Sequence, residues 1–355
     1  MISSNPLMGT LLHGVGGVSA ASCYLPFQKI KQLSWNTYWL VQATFAWLVL
    51  PLVVGYLTVP DLAEVFRQAP QKVLINATLL GMVYGFGGMA FGYAIKNIGY
   101  SLTYTISIGL SAVLGTIIPL LIHGTLIEHF SKPGGMVVLT GMLISFVGVF
   151  ACGWAGYRKE QDLKKQGGSL ASFNIKKGLP LAVIAGVLSA IFGVSLEVGA
   201  PVAEIAAANG AGHFEGNANL ILSTGGTFIT NFCWFFILSI RQKTIREIVQ
   251  VKAIGLKQYL LNMTLCIASG AFWYLQFFFY GLGHVRMGNF KFASWAIHMT
   301  MLVFFSYLVG VLMKEWKGVS NRTYQILITA LCILVASFMI ITYGSMLGSE
   351  EFLNH

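Results

Sequence analysis

The residues that could do chemistry in this sequence are concentrated in one aromatic stretch, "WYLQFFFYGLGH" at 273–284. Trp273, Gln276 and Tyr280 recur at i, i+3 and i+7, so a helix would place them on one face. This combination suits a sugar, because aromatic rings cover the apolar faces of a pyranose while amides and hydroxyls bind its hydroxyl rim. The residues of this stretch that we predict to bind substrate are Trp273, Tyr274, Gln276 and Tyr280.

Two of these residues also have a plainer interpretation. Tyrosine near the end of a span often lies in the membrane interface, so Tyr280 fits an interfacial role equally well. Gln276 must pair, because an unpaired amide in lipid is costly, and a helix–helix hydrogen bond is its alternative role.

Ionisable side chains inside apolar stretches form a second group of candidates. Glu197, in "AIFGVSLEVGAP", is the only acid within such a stretch, and His298, in "SWAIHM", is interpreted as the one histidine well inside a span. Such side chains are costly in a membrane core and mark substrate or proton paths. We predict Glu197 and His298 as proton-coupling groups, and His298 and Trp295 as sugar ligands. A structural or gating role for Glu197 stays open.

The composition decides which elements must position these residues. Charged residues make up 10% of the chain and hydrophobic residues 56%, whereas soluble domains contain about 25% charged residues. The chain is therefore predicted to be an all-α integral membrane protein, in which a span needs roughly 20 apolar residues. Ten stretches qualify, at 8–26, 38–59, 73–95, 101–122, 135–157, 178–200, 217–240, 259–282, 292–313 and 324–347.

The positions of the basic residues predict the orientation of the spans. When loops are assigned alternately to two sides, one side receives few of the 22 lysines and arginines. The positive-inside rule makes the richer side cytoplasmic and places both termini in the periplasm. The net charge of +10 is thereby explained without a nucleic-acid partner. The basic residues on the poorer side are Arg67, Lys72, Lys132, Arg286 and Lys291.

Ten spans divide into two sets of five, and an odd number of spans reverses the direction of the second set. This predicts two inverted five-helix repeats, 1–157 and 178–355, joined by a cytoplasmic linker at 158–177, the longest polar stretch. Inverted repeats are typical of secondary transporters.

Helix depths predict a shared site. Counted from the outer span ends, Gln276 and His298 lie about 10 Å deep, and Glu197 about 6 or 16 Å deep, depending on whether its helix stops at Pro201 or continues to Ala208. We predict that the three share one cavity between spans six, eight and nine. Glycines 81, 85, 88 and 92 follow one face of span three, which predicts close helix packing.

An enzyme is not expected. The sequence has no H-E-x-x-H, G-x-S-x-G or P-loop motif, and its five cysteines lack the short spacing of a zinc or redox site. We predict no metal and no cofactor, with the proton as coupling ion.

Several stretches resemble a known family: "SAASCYLPFQKIKQLSW" at 19–35, "FNIKKGLPLAV" at 173–183, "WYLQFFFYGLGHVR" at 273–286, "SWAIHM" at 294–299 and "LMKEW" at 312–316. In this order they are similar to the L-rhamnose–proton symporter family of the drug/metabolite transporter superfamily. The resemblance implies a carrier of ten helices in two inverted repeats that imports L-rhamnose or a related 6-deoxyhexose with a proton across a bacterial inner membrane. The family pattern does not require an acid at Glu197. The alternative is a metabolite or drug exporter of the same superfamily.

Overall fold

The computed structural model describes residues 4–165 and 174–349, and within these ranges it contains helices and connecting segments but no β-strand. The all-α prediction is therefore confirmed. The α-helices are α1 Pro6–Ser22, α2 Trp35–Thr44, α3 Leu50–Thr58, α4 Leu62–Gln68, α5 Gln71–Ile98, α6 Tyr100–Ile122, α7 Leu126–Ser131, α8 Gly135–Lys165, α9 Ile175–Val198, α10 Ala200–Ala208, α11 Gly216–Arg241, α12 Val251–Ile254, α13 Leu256–His284, α14 Ala293–Leu312 and α15 Asn321–Leu347.

Nine stretches of the described residues are long and apolar enough to span a membrane, and each matches one of the predicted spans two to ten. The chain is thus a multi-pass membrane protein. The predicted first span, 8–26, corresponds to α1, which has 17 residues and ends at Ser22 before Pro26 begins a short 3-10 helix. A helix of that length covers about 26 Å, slightly less than the hydrocarbon core. The count of ten spans and the inverted repeats therefore stay predictions.

The second span contains an irregular turn. Between α2 and α3 the backbone forms a π-helical segment, Phe45–Val49. Such wide turns are uncommon and occur frequently at functional sites.

The sixth span contains a break that matters for Glu197. α9 ends at Val198, and α10 begins at Ala200 with Pro201 in its first turn, where proline removes a helical N–H donor. Beside this break the side-chain amide of Asn219 donates to the carbonyl of Leu196 at 2.9 Å. The stretch nevertheless continues to Ala208, as the second alternative for its length predicts.

The helix of the fifth span is longer than predicted. α8 continues past Tyr157 to Lys165, because the polar residues that follow are good helix formers. Asp162 on this extension accepts hydrogen bonds from the backbone and hydroxyl of Ser320 and from the hydroxyl of Thr323, at the start of α15. The first part of the predicted linker 158–177 is therefore helix, and residues 166–173 lie outside the described residues.

The chain forms two compact units, and each draws on both halves of the sequence. Unit 1 is drawn from Met1–Ala21, Gly87–Val194 and Leu282–His355, and unit 2 from Ser22–Phe86 and Ser195–Gly281. The compact units are defined by packing, whereas the repeats 1–157 and 178–355 are defined by internal symmetry. The division into repeats therefore stays a prediction.

Close helix crossings hold unit 2 together. A Cβ at Gly81 would overlap the backbone carbonyl of Ser223, and one at Gly85 would lie 2.7 Å from Cβ of Thr230. At the same crossing the amide of Asn231 donates to the carbonyl of Gly85 at 3.1 Å. For Gly81 and Gly85 the predicted packing role is confirmed.

Candidate functional site

The aromatic stretch of α13 is buried inside the protein rather than turned outward. Trp273, Tyr274, Gln276 and Phe277 are each exposed by 5% or less, and the rings of Trp273 and Phe277 lie 5.0 Å apart. These four residues, called the α13 cluster below, belong to unit 2. Tyr280 is half-buried at the same end of α13.

The α13 cluster is extended by residues of the second span that the sequence analysis missed. The ring of Trp47, in the π-helical segment, lies 5.2 Å from that of Trp273 at an interplanar angle of 84°. Trp39 lies 6.4 Å from Trp47, and its indole N–H donates to the Asn231 side-chain oxygen at 3.3 Å.

Gln42, between these two tryptophans in sequence, has no exposed surface. A polar side chain within an apolar span was the signal that selected Gln276, and it applies equally to Gln42. Unit 2 therefore places the buried amides of Gln42 and Gln276 and several large rings on neighbouring helices, the side-chain types that bind a neutral, hydroxyl-rich molecule.

Trp295 is placed in unit 1, where it packs between helices. Its indole N–H donates to the carbonyl of Ser111 on α6 at 3.0 Å. A Cβ at Gly193 would lie 3.0 Å from its ring, so α9 also approaches it closely. These contacts supply a packing role for Trp295, and its predicted role as a sugar ligand stays a prediction.

His298 lies in unit 1 beside a second histidine that the sequence analysis underrated. Neither His298 on α14 nor His13 on α1 has exposed surface, and their ring centroids lie 5.8 Å apart. His298 is therefore not the only fully buried histidine among the described residues, because α1 buries His13 as completely. His13 was overlooked because the first span was placed from Met8, which put His13 only five residues from its start.

The histidine pair, His13 and His298, lies among other polar groups. A Cβ at Gly283 would lie 2.9 Å from the His13 ring, so the end of α13 packs directly against this imidazole. His284, the next residue, acts electrostatically on His13. Unit 1 thus buries two adjacent imidazoles, a side-chain type that can both accept and donate a proton.

Glu197 lies in the last turn of α9, just before the break at Gly199, and its side chain is exposed. Its carboxylate is near enough to Tyr280 to interact with it electrostatically, and both residues belong to unit 2. The predicted site residues are therefore distributed over both units, with Trp295 and His298 in unit 1. Their predicted meeting in one cavity stays a prediction.

Comparison with known proteins gives a match over nearly the whole chain. The family model of the L-rhamnose-proton symport protein matches residues 2–346. This chain belongs to that family. The L-rhamnose-proton symport family is a family of transporters, so the prediction that the chain is not an enzyme is confirmed, and the family named from the sequence stretches is confirmed with it.

Individual relatives match nearly the full length of this chain and nearly their own full length. The chain is 30% identical over 347 residues to the L-rhamnose-proton symporter of Pectobacterium atrosepticum, a match that covers 96% of this chain and 99% of that protein. It is 32% identical over 342 residues to the symporter of the same name from Cronobacter sakazakii, covering 95% and 97%. It is 31% identical over 343 residues to that of Yersinia pestis, covering 95% and 98%. None of these names favours the exporter alternative.

Proposed function

We propose that this protein imports L-rhamnose, or a related 6-deoxyhexose, together with protons across the inner membrane of a bacterium. The observation that carries the proposal is the match of residues 2–346 to the L-rhamnose-proton symport family. The relatives that match over almost their entire length carry the same name. Alternating access and the periplasmic location of both termini belong to the proposal.

The α13 cluster supports sugar binding. A 6-deoxyhexose has a hydroxyl rim, two apolar ring faces and a methyl group, so it needs hydrogen bonds and flat rings but no opposite charge. Trp273 and Gln276 are 4% and 5% exposed, within the protein, where a partner for the amide can be supplied by substrate. We assign sugar contacts to Trp273, Tyr274 and Gln276, and we keep Tyr280, Trp295 and His298 as further candidates.

The histidine pair supports proton coupling. An imidazole has an unperturbed pKa of about 6.5 and changes its charge within the physiological range. His298 touches a second buried imidazole, His13, so a proton taken up by one ring is felt directly by the other. Glu197 remains a candidate, but its side chain is exposed whereas His298 is fully buried. We therefore propose His298, aided by His13, as the more favoured coupling group.

The proposal is tested by transport. The purified full-length protein is reconstituted into vesicles, and uptake of labelled L-rhamnose is followed with the outside acidified. Accumulation above the external concentration that collapses when a protonophore is added is the expected result. L-mannose, which differs only by a hydroxyl on the sixth carbon, should compete less well than L-rhamnose.

Two results would contradict the proposal. Uptake that stops at the external concentration under an inward proton gradient would remove proton coupling. Absence of any rhamnose uptake or counterflow by folded protein would remove the substrate.

A further inference from the structure

A buried amide in unit 2 lacks the hydrogen bonds that a buried amide needs. Gln42 has no exposed surface, and neither its amide nitrogen nor its amide oxygen has a partner among residues 4–165 and 174–349. Buried polar groups are almost always paired, and an unpaired one costs free energy of desolvation. An unpaired amide therefore calls for a functional explanation.

The surrounding polar groups make Gln42 stand out. On the same helix the amide of Asn36 donates to the side-chain oxygen of Gln242 at 2.7 Å. The indole N–H of Trp39 is paired with Asn231, whose own amide donates to the carbonyls of Gly85 and Thr227. The amides of Asn36 and Asn231 are thus satisfied within the protein, so the lack of partners at Gln42 does not reflect loose packing of the whole region.

A second unpaired group lies in the irregular turn that follows Gln42. The indole N–H of Trp47 has no partner in the described part of the chain, and water does not replace one because this side chain is only 2% exposed. Trp47 lies within the π-helical segment Phe45–Val49, a backbone form that occurs frequently at functional sites. Two consecutive parts of the second span thus present polar groups that have no partner in residues 4–165 and 174–349.

The α13 cluster lies against the same part of the second span. A Cβ at Gly270 would lie 2.8 Å from the carbonyl oxygen of Gln42 and 3.0 Å from Cβ of Phe45, so α13 crosses this span in direct contact. One turn later the Trp273 ring meets that of Trp47. The hydroxyl of Tyr274, 2% exposed, is a third polar group without a partner among the residues described. All of these residues belong to unit 2.

We propose that Gln42 is a sugar ligand whose carboxamide binds two adjacent hydroxyls of the substrate, donating from its nitrogen to one and accepting on its oxygen from the other. A carboxamide holds a donor and an acceptor side by side, which matches a vicinal diol. A 6-deoxyhexose keeps vicinal hydroxyls around its ring, and the indole N–H of Trp47 provides one more donor for the same rim. This assignment rests on the proposed function, because it takes the transported sugar as the missing partner.

The test compares wild type with Gln42→Met, which keeps a side chain of similar length but removes both polar atoms. Binding of L-rhamnose and of its 2-, 3- and 4-deoxy analogues to the purified full-length protein is measured by calorimetry. The variant should bind L-rhamnose at least about 10-fold more weakly than wild type. Wild type should bind an analogue that lacks a hydroxyl bound by Gln42 more weakly than L-rhamnose, because the amide then stays unpaired. Gln42→Met should bind that analogue and L-rhamnose about equally well, because it has no amide to leave unpaired.

A stability measurement gives an independent readout. Without sugar, Gln42→Met should raise the melting temperature by about 2 °C or more, because an unpaired buried amide has been removed. Gln28→Leu, at an exposed glutamine of the same unit, serves as the control and should change neither binding nor discrimination.

The outcomes separate this assignment from the proposed function. Unchanged rhamnose affinity in Gln42→Met would overturn the role of Gln42 while leaving the transported sugar in place. Equal weakening for all the analogues, or a variant that no longer folds, would show that the amide is structural and would also overturn it. If folded wild type binds none of the sugars, the proposed substrate and the assignment are wrong together.

Discussion

The buried polar side chains of unit 2 and those of unit 1 differ in their chemistry. In unit 2, around α2 and α13, they include the amides of Gln42 and Gln276, the indole of Trp47 and the phenol of Tyr274. None of these groups changes its charge near neutral pH. The buried polar groups of unit 1 include the two imidazoles of His13 and His298, a side-chain type that can take up a proton and carry a charge.

This difference teaches how one chain can bind a neutral solute and still respond to a proton. Sugar recognition needs fixed donors and acceptors, so a titrating group there would make affinity depend strongly on pH. Coupling needs a group whose charge does change. Each of the following predictions therefore alters one region and measures whether binding and coupling separate as the comparison requires.

The largest effect is expected at the histidine pair. His298→Gln keeps a polar side chain of similar size but cannot take up a proton. Accumulation of L-rhamnose driven by a proton gradient should be lost completely, while exchange of labelled for unlabelled sugar across the vesicle membrane should persist.

The matched control for this variant is His123→Gln, at an exposed histidine that follows α6. It should accumulate sugar as wild type does. If His298→Gln also accumulates sugar normally, the histidine pair serves packing only, and the assignment of proton coupling to unit 1 is wrong.

The next effect is expected in the α13 cluster. Trp273→Ala removes a ring that is 4% exposed and packs against Trp47. Loss of a buried aromatic contact is expected to weaken rhamnose binding by about 2–4 kcal/mol, or roughly 30- to 800-fold. Calorimetry on the folded variant measures this loss.

Two further variants control for the loss of bulk. Trp273→Phe keeps an aromatic face and should recover part of the affinity. Trp154→Ala, at a tryptophan of α8 that is 48% exposed, should leave binding unchanged. Equal affinity in Trp273→Ala and wild type would mean that the α13 cluster does not contact sugar.

A smaller loss is expected for Gln276→Leu. Removing the amide leaves sugar hydroxyls unpaired and should weaken binding by about 1–3 kcal/mol, or roughly 5- to 150-fold. The dependence of binding on pH should stay as in wild type, because no titrating group has changed.

Gln71→Leu, at an exposed glutamine that begins α5, is the control. Normal rhamnose affinity in Gln276→Leu would show that Gln276 does not bind sugar and would support its alternative role in a helix–helix hydrogen bond.

The smallest effect is expected for Glu197→Gln. Since this carboxylate is exposed while the histidine pair is buried, we expect only a small change in gradient-driven accumulation. Glu204→Gln, at a nearby exposed acid on α10, is the matched comparison. Complete loss of accumulation in Glu197→Gln, but not in Glu204→Gln, would show that the coupling group is Glu197 in unit 2 and not the histidine pair in unit 1.

Much of the candidate site could be predicted from spacing alone. Trp273 and Gln276 were selected because i, i+3 spacing places them on one helix face, and both are buried. Gln42 and His13 were missed although each is a polar side chain in an apolar stretch, the signal that selected Gln276 and His298, because each lies near the start of its predicted span. The pairing of His13 with His298 joins residues 285 positions apart, and no local pattern predicts such a contact.

The sequence by itself determined the membrane class, nine of the spans and the family, because each depends on local composition or on short stretches in a fixed order. Only the tertiary structure decided that each compact unit draws on both halves of the chain, and that Trp47 meets Trp273. It also decided which polar groups were left without partners inside the described protein, as at Gln42. The physical reason is that hydrophobicity acts along a helix, residue by residue, whereas hydrogen bonding of a buried side chain depends on helices that are distant in sequence.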